Sequence, residues 1–408
     1  MGVNLATSAT IRPTASSEEL YLANELMAKV HSDDYASTMR WLLRHASAYP
    51  GLPPEHTRIA ILDGKIAGAL RLTTETMRVG DARLKVAGLG LVTTAPEFRH
   101  RGVCTELLRE TQRYMLGHGY HVSMLFGIPN FYHRFGYATT LADYTISLDV
   151  TEVPSVLSGT YKVRAAKPGD IGAIQKIHAS NDAEVSCSLL RSSAHLKFKW
   201  DRFSPAMVFT TQQGRVVAYV LMRQTEGGST VEDVGVADLS VAPDVLAYCA
   251  GRAQDAFCPR IRFLLPPENP LAHYLARFQS VHEMRISRDR GGMMAFVDLG
   301  EALESMLPEW EARVVDTPAE HGRSEVTLLV DGRTYRVRST HGSLDVAQAP
   351  GRHKFSVSRM DLMHLLTGYA HFEDIFCSER RMLPTGSREL LAALFPKRSP
   401  CVHPFDQF

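Results

Sequence analysis

The stretch Val92-Thr93-Thr94-Ala95-Pro96-Glu97-Phe98-Arg99-His100-Arg101-Gly102-Val103-Cys104-Thr105 decides how this chain is read. A strand ends at Pro96, and a turn carrying Arg99, His100, Arg101 and Gly102 follows. The turn opens an amphipathic helix from Gly102 to about Gly117, with Val103, Leu107, Leu108, Tyr114 and Met115 largely on one face. The first-turn N–H groups of such a helix lack intrahelical acceptors, and its dipole favours an anion. Gly102 lets a bulky anion approach the backbone, and Arg99 and Arg101 add positive charge. A bare Arg-x-x-Gly would be a solvated basic turn. The strand–turn–helix context makes this one a cradle for a pyrophosphate.

Upstream, Thr10 to Arg12 reads as a short strand, and Ser16 with Glu19 forms a capping box. Leu20, Ala23, Leu26, Met27 and Val30 then follow at helical spacing. Thr57 to Leu62 and Lys65 to Thr73 are strands joined by the hairpin signal Asp63-Gly64. Leu84 to Thr94 is a further strand, and Tyr120 to Phe126 follows the helix. The order is a helix, antiparallel strands and a β-α-β crossover.

A fainter copy follows. Tyr161-Lys162-Val163-Arg164 leads into Pro168-Gly169-Asp170 and then Ile171, Ile174 and Ile177 at helical spacing. Gln213-Gly214 separates the strand-like runs Met207 to Thr211 and Val216 to Met222. Leu239-Ser240-Val241-Ala242-Pro243 echoes Val92 to Pro96, and Arg260 to Leu265 with Asn269 and His273-Tyr274 echoes Val122 to Tyr132. This reads as a duplicated domain. A third segment begins near Val297. It has a helix at Leu299 to Leu307, strands at Val326 to Val330, Thr334 to Val337 and Phe355 to Val357, and a helix at Ser358 to Leu366. Boundaries fall near Thr151–Gly159 and Gly291–Leu299, so the expected domains are 1–155, 156–295 and 296–408.

The totals are those of a globular chain of several domains: 408 residues, 45% hydrophobic and 22% charged. Lys plus Arg total 45 and Asp plus Glu 44, a net charge of +1 that leaves no footprint for nucleic acid or an anionic membrane. Arg99-His100-Arg101 and Arg380-Arg381 are too short to change that. The six cysteines (104, 187, 249, 258, 377 and 401) form no CxxC pair and no Cys/His set with zinc spacing. Reduced thiols and no metal are therefore expected. Nothing resembles a signal peptide, Met1-Gly2 has Ala6 where myristoylation wants Ser or Thr, and no apolar run approaches a membrane span. A cytoplasmic location is the expectation.

Arg99-His100-Arg101-Gly102-Val103-Cys104 resembles the Arg/Gln-x-x-Gly-x-Gly/Ala signature of the GNAT acetyltransferases, with Cys104 in the final small position. The resemblance implies acetyl-CoA as cosubstrate. Val92, Thr93 and Thr94 would hold the pantetheine arm through their backbone, and Arg99, His100, Arg101, Gly102, Val103, Cys104 and Thr105 would hold the pyrophosphate. Gly127 and Ile128 would complete the cofactor-binding set. Phe131-Tyr132-His133-Arg134-Phe135-Gly136-Tyr137 resembles the family's Phe-Tyr-x-x-x-Gly-Phe element, which makes Tyr132 the proton donor to the leaving thiolate. A phenol, with a pKa of about 10, is protonated at neutral pH; by itself a Tyr is more often a core aromatic.

The full layout resembles the Eis (enhanced intracellular survival) branch, and Tyr132-x-Arg134-Phe135-Gly136-Tyr137 with Thr139-Thr140-Leu141 is especially close. The fold class implied is α+β: tandem GNAT folds, each with a mixed, mostly antiparallel central sheet flanked by helices, then a sterol-carrier-like α/β domain. After Ala242-Pro243 there is no Arg-x-x-Gly, so the second copy should bind no acetyl-CoA. In that branch the last residue is aromatic and its α-carboxylate is the general base, which assigns the role to Phe408. Without the resemblance the tail would be expected to fray. Gln407 stands where some relatives have an acid. Asp33, Asp34 and Asp406 are further contacts for a cationic substrate, or plain surface charges.

The resemblance further implies direct acetyl transfer to a primary amine (aminoglycoside, polyamine or lysine side chain) and a homohexamer. The competing readings are a non-catalytic acyl-CoA- or lipid-binding regulator, and transfer of a longer acyl chain or to an alcohol.

Overall fold

A computed structural model describes residues 9–154, 156–203, 205–225, 228–375 and 383–408. Met1-Gly2, Ala6, Cys377 and Arg380-Arg381 lie outside the described residues. The first element is β1 (Thr10–Pro13), and α1 (Ser17–His31) follows it. Ser16 Oγ accepts from Glu19 N at 3.1 Å. The return half of the expected capping box is absent, because the Glu19 carboxylate takes Ala15 N and the Arg12 guanidinium. α2 (Tyr35–Ala48), capped by Asp34, has no counterpart in the sequence reading. Then come β2 (Thr57–Leu62), β3 (Lys65–Val79), β4 (Ala82–Thr94), α3 (Val103–Gly117), β5 (Val122–Gly127) and β6 (Ala138–Leu141). β3 runs past Thr73 to Val79 because it pairs with β4 from Gly68 to Val79.

The next strand leaves that sheet. β7 (Asp143–Asp149) precedes β8 (Lys162–Ala165), α4 (Ile171–Asn181), α5 (Ser193–Phe198), α6 (Trp200–Phe203), β9 (Met207–Thr210), β10 (Val216–Thr225) and β11 (Gly228–Val236). α7 (Ala242–Asp255), β12 (Arg260–Phe263), α8 (Pro270–Leu275), β13 (Ser280–Arg285) and β14 (Gly291–Phe296) follow. One seven-stranded sheet has the order β1-β2-β3-β4-β5-β14-β6, and the other β13-β7-β12-β11-β10-β9-β8. Read from the β8 edge, the second order repeats the first. Three antiparallel pairings lead to one parallel pair, β4·β5 or β11·β12, and a sixth strand comes from elsewhere in the chain.

That sixth strand is exchanged. β7 follows the first sheet in sequence but pairs with β12 and β13, whereas β14 follows the second sheet but pairs with β5 and β6. Residues 143–149, read from sequence as part of the first segment, thus lie in the second sheet, and 291–295, read as part of the second, lie with Phe296 in the first. Composition does not change at either crossover, so a boundary search on composition passes over both. Leu239–Val241, the expected echo of a strand end, is instead a 3-10 turn leading straight into α7.

The third segment holds α9 (Leu299–Glu304), α10 (Leu307–Val314), β15 (Arg323–Val330), β16 (Arg333–Thr340), β17 (Ser343–Ala347), β18 (Lys354–Ser356), α11 (Arg359–Thr367), α12 (Phe372–Ile375) and α13 (Thr385–Leu394). The expected single helix from Leu299 to Leu307 is two, broken near Ser305. Its four-stranded sheet, β17-β16-β15-β18, shares an apolar core with the far ends of β3, β4 and β5, where Met77, Val79, Leu84 and Val122 meet Trp310, Leu366 and Phe395. Burial of this size is the main force holding the third segment to the first. The architecture is mixed α+β. Among the described residues no helix is long and apolar enough to cross a membrane, and Cys104, Cys187, Cys249, Cys258 and Cys401 are free thiols.

Candidate active site

β4 carries the geometry that opens the site. Ala69 pairs with Thr93, but Arg71 pairs with Gly90, so Leu91 and Val92 together oppose Leu70. This bulge places Leu91 at φ +55°, unfavourable for a residue with a Cβ. Thr93 helps to hold it: its hydroxyl donates to Leu91 O at 2.8 Å, and His31 Nε2 lies 3.0 Å from Thr93 Oγ1. With the Thr93 proton already given away, His31 Nε2 must be the donor. β4 and β5 pair only from Val86·Val122 to Leu89·Leu125. Past that point no β4–β5 pairing continues, and β5 goes on pairing with β14. A cleft therefore opens at Gly90 and Phe126, with Val92, Thr93 and Thr94 along one edge.

Beyond the cleft, a 3-10 turn at Pro96–Phe98 leads to the basic loop. Arg99, His100, Arg101 and Gly102 are exposed, and the N-cap residue Gly102 sits at φ +82°. A side chain there would strain the backbone, although space is open around it. No side chain caps α3, which leaves the first-turn N–H groups of Val103, Cys104 and Thr105 free of intrahelical partners. Arg101 lies over the Phe98 ring and pairs with exposed Asp63 at 3.1 Å. Burial pushes the Cys104 thiol up to about 11, so it is neutral and a poor nucleophile.

Tyr132 begins the 3-10 turn Tyr132–Phe135, closed by Gly136 at φ +85°. It is buried and packs on β5: a Cβ at Gly127 would come within 2.7 Å of its ring. Burial, with Cys104 and Tyr137 nearby, raises its pKa above the usual phenol value, so it stays protonated. Ile128 is exposed at the end of β5.

The chain's last residue lies at the same cleft. A Cβ at Gly88 would come within 2.6 Å of the Phe408 ring, and one at Gly90 within 3.6 Å of Phe408 O. The ring meets Phe126 edge-on at 6.0 Å. Gly88 and Gly90, alternate residues on one face of β4, are where β4 accepts the tail; strand glycines of this kind mark close approach by another segment. The tail does not fray. Cys401 N donates to Ser186 O (2.9 Å), and Arg191 clasps Asp406 through two nitrogens at 2.7 and 2.9 Å. Lys199 Nζ donates to Phe405 O at 2.9 Å and Gln407 O at 3.4 Å. Asp406 is therefore neither a surface charge nor free to meet a substrate cation. Asp34 caps α2, and Asp33 is exposed.

Beside the tail is a cavity of about 230 Å³ walled by Trp41, Tyr49, Phe198, Lys199, Gln407 and Phe408. Sequence reasoning missed the polar cluster behind it. Tyr49 donates to Glu75 Oε1 at 2.7 Å, and His195 Nε2 meets the same hydroxyl. Burial pushes Glu75 up to about 7, His195 down to about 4 and Lys199 down to about 8. Glu75, a carboxylate inside the strand run Leu70–Val79, was the one signal available. A larger cleft, about 970 Å³, lies over the third sheet beside Arg323, Arg338 and Arg352 and shares no residue with this site.

Comparisons with known proteins bear on the family and the fold. The acetyltransferase (GNAT) domain family model matches residues 10–140. The N-acetyltransferase Eis of Mycobacterium tuberculosis is 26% identical over 260 residues, a match covering 56% of this chain and 61% of that protein's length. A conserved protein from Enterococcus faecalis described as a probable N-acyltransferase superposes with a TM-score of 0.75 at 14% identity, covering 97% of this chain and 99% of the other. Eis1 from Mycobacterium abscessus gives 0.62 at 18% identity, covering 97% and 99%. Residues 10–140 are thus a GNAT acetyltransferase domain. The chain that carries it is Eis-like in sequence and in fold.

Proposed function

We propose that the chain is an acetyl-CoA-dependent N-acetyltransferase acting on a primary amine by direct transfer. The observation that carries this reading is the meeting, at one β4–β5 cleft, of the uncapped α3 N-terminus, buried Tyr132 and the last residue, Phe408. The pyrophosphate would lie against the backbone of His100–Thr105, with Arg99 and Arg101 adding charge. The pantetheine would follow Val92–Thr94 toward Gly127 and Ile128. An ammonium gives one proton to the Phe408 α-carboxylate. The neutral amine then forms the C–N bond at the thioester carbonyl, which is polarised by backbone N–H groups near Val92. The C–S bond breaks and Tyr132 protonates the sulfur. The second amine proton leaves through solvent and restores the phenol. Neutral, buried Cys104 argues against an acyl-enzyme.

The acceptor would enter the cavity beside Phe408. Its aromatic walls suit an organic amine. Arg44, Lys199 and Arg202 line it against Asp201, which is ion-paired to Arg44 at 2.7 Å. Among the cationic acceptors implied by resemblance, those presenting a single amine end, such as a lysine side chain, therefore fit better than aminoglycosides or polyamines. We read the chain as a catalytic GNAT unit, a second GNAT-like unit without cosubstrate, and a sterol-carrier-like domain whose tail completes the first. The Eis likeness also supports a cytoplasmic homohexamer. A thiol-release assay with an amine panel and competing acyl-CoAs tests the reading. Turnover is expected with acetyl-CoA; binding without turnover would favour an acyl-CoA-binding regulator.

A further inference from the structure

His178, Asp182 and His403 bring their donor atoms together in the interior, all within 4.8 Å of one another. His178 and Asp182 lie one turn apart at the end of α4, and His403 arrives on the tail. All three are almost wholly buried, at 5%, 1% and 2% exposure. Asp182 Oδ2 is 3.4 Å from His178 Nε2 and 3.0 Å from His403 Nε2. Ligands about 2.0–2.1 Å from a tetrahedral ion stand about 3.3 Å apart, so the two separations to Asp182 are already close to that spacing, and the two imidazoles lie within 4.8 Å of each other. The second observation is His178 Nε2 itself, which is buried, aimed at this point and without a hydrogen-bond partner.

We propose that His178, Asp182 and His403 bind one divalent transition-metal ion of the zinc class. Two imidazoles and one carboxylate suit such an ion, and the second Asp182 oxygen or a water would fill the remaining position. The surrounding groups are those of an orienting outer shell. The Tyr219 hydroxyl lies 3.5 Å from His178 Nδ1 and donates to Asp233 Oδ1 at 3.1 Å, and Asp233 is held by Arg191 at 2.5 Å. The same Arg191 clasps Asp406. An imidazolium at His403 would satisfy Asp182 alone and leave His178 Nε2 unused; an ion uses all three donors. The third ligand lies 221 residues from the second, so no zinc spacing shows in the sequence. His403 is five residues before Phe408. The ion would therefore pin the tail to α4 and fix where the chain ends. This inference does not depend on the proposed reaction.

The test uses the full, tag-free chain purified without added metal and analysed by plasma mass spectrometry, which should find about one zinc per chain. After chelation with dipicolinate, cobalt(II) should give visible ligand-field bands saturating at about one equivalent. His178→Gln and His403→Gln should each lose both signals while keeping the wild-type circular dichroism. A serine carboxypeptidase should release Phe408 about tenfold faster from the chelated wild type, since removing the ion frees the tail. Substoichiometric zinc below about a tenth, no cobalt bands and unchanged tail cleavage would overturn the proposal and leave an imidazolium–carboxylate pair. Should either variant misfold, the wild-type cobalt titration decides alone.

Discussion

The two seven-stranded sheets follow one plan, yet they differ where the first strand of the parallel pair hands over to the following helix. In the first, a bulged β4 parts from β5, and a basic loop with Gly102 at φ +82° lets α3 begin uncapped. In the second, β11 leads through the 3-10 turn Leu239–Val241 directly into α7, with no room for a loop. The first turn of α7 already holds an anion: the Asp244 carboxylate accepts from Ser158 N at 2.8 Å and from its hydroxyl. A carboxylate there answers the helix dipole and repels an incoming phosphate. Under the proposed function, the same topology gives a cofactor cradle in one sheet and a packed structural unit in the other, depending on one loop and one side chain.

The sharpest way to break this contrast is to remove one hydroxyl from each half. Tyr132→Phe should lower kcat by about 10²–10⁴-fold with little change in the KM for acetyl-CoA. Tyr274→Phe, the corresponding change in the second half, should leave steady-state thiol release unaltered. Equal losses would mean that the halves are not functionally distinct.

Glu75 gives the next largest effect. Its folded pKa, raised to about 7 from 4.5, means that the folded state keeps a proton the unfolded chain has lost. Stability should therefore fall as pH rises from about 4.5 to 7 and then level off, by at most about 3 kcal/mol. Glu75→Gln should flatten that slope in urea unfolding at pH 5 and pH 7.5; an unchanged slope would remove Glu75 as its source.

Gly102→Val should weaken acetyl-CoA binding about tenfold by calorimetry, because a β-branched residue at positive φ costs about 1–2 kcal/mol. Wild type should bind one acetyl-CoA per chain, and a second site would contradict the reading of α7. Smallest of all, Asp244→Ala should cost about 1 kcal/mol of stability and no activity, measured by denaturant midpoint and thiol release.

What the sequence disclosed was local. The loop Arg99–Thr105, the hairpin at Asp63-Gly64 and the element carrying Tyr132 each announce themselves through a few adjacent residues whose backbone needs are specific. The exchange of β7 and β14 does not. β7 is an ordinary alternating strand and β14 an ordinary apolar run, and which sheet takes them depends on pairing across more than a hundred residues. The tail is the same case: Arg191 and Asp406 are 215 residues apart, and Lys199 and Phe405 are 206 apart. Gly88 and Gly90 were a legible sign that something approaches β4, although not of what.

The account rests on the end of the chain completing a site in its first third. Adding a single Gly after Phe408 moves the carboxylate while sparing the Arg191–Asp406 and Lys199 anchors. The prediction is a fall in kcat of about 100-fold or more, with acetyl-CoA affinity by calorimetry within about twofold of wild type. A kcat within about twofold of wild type would contradict the account and send the search for the base elsewhere.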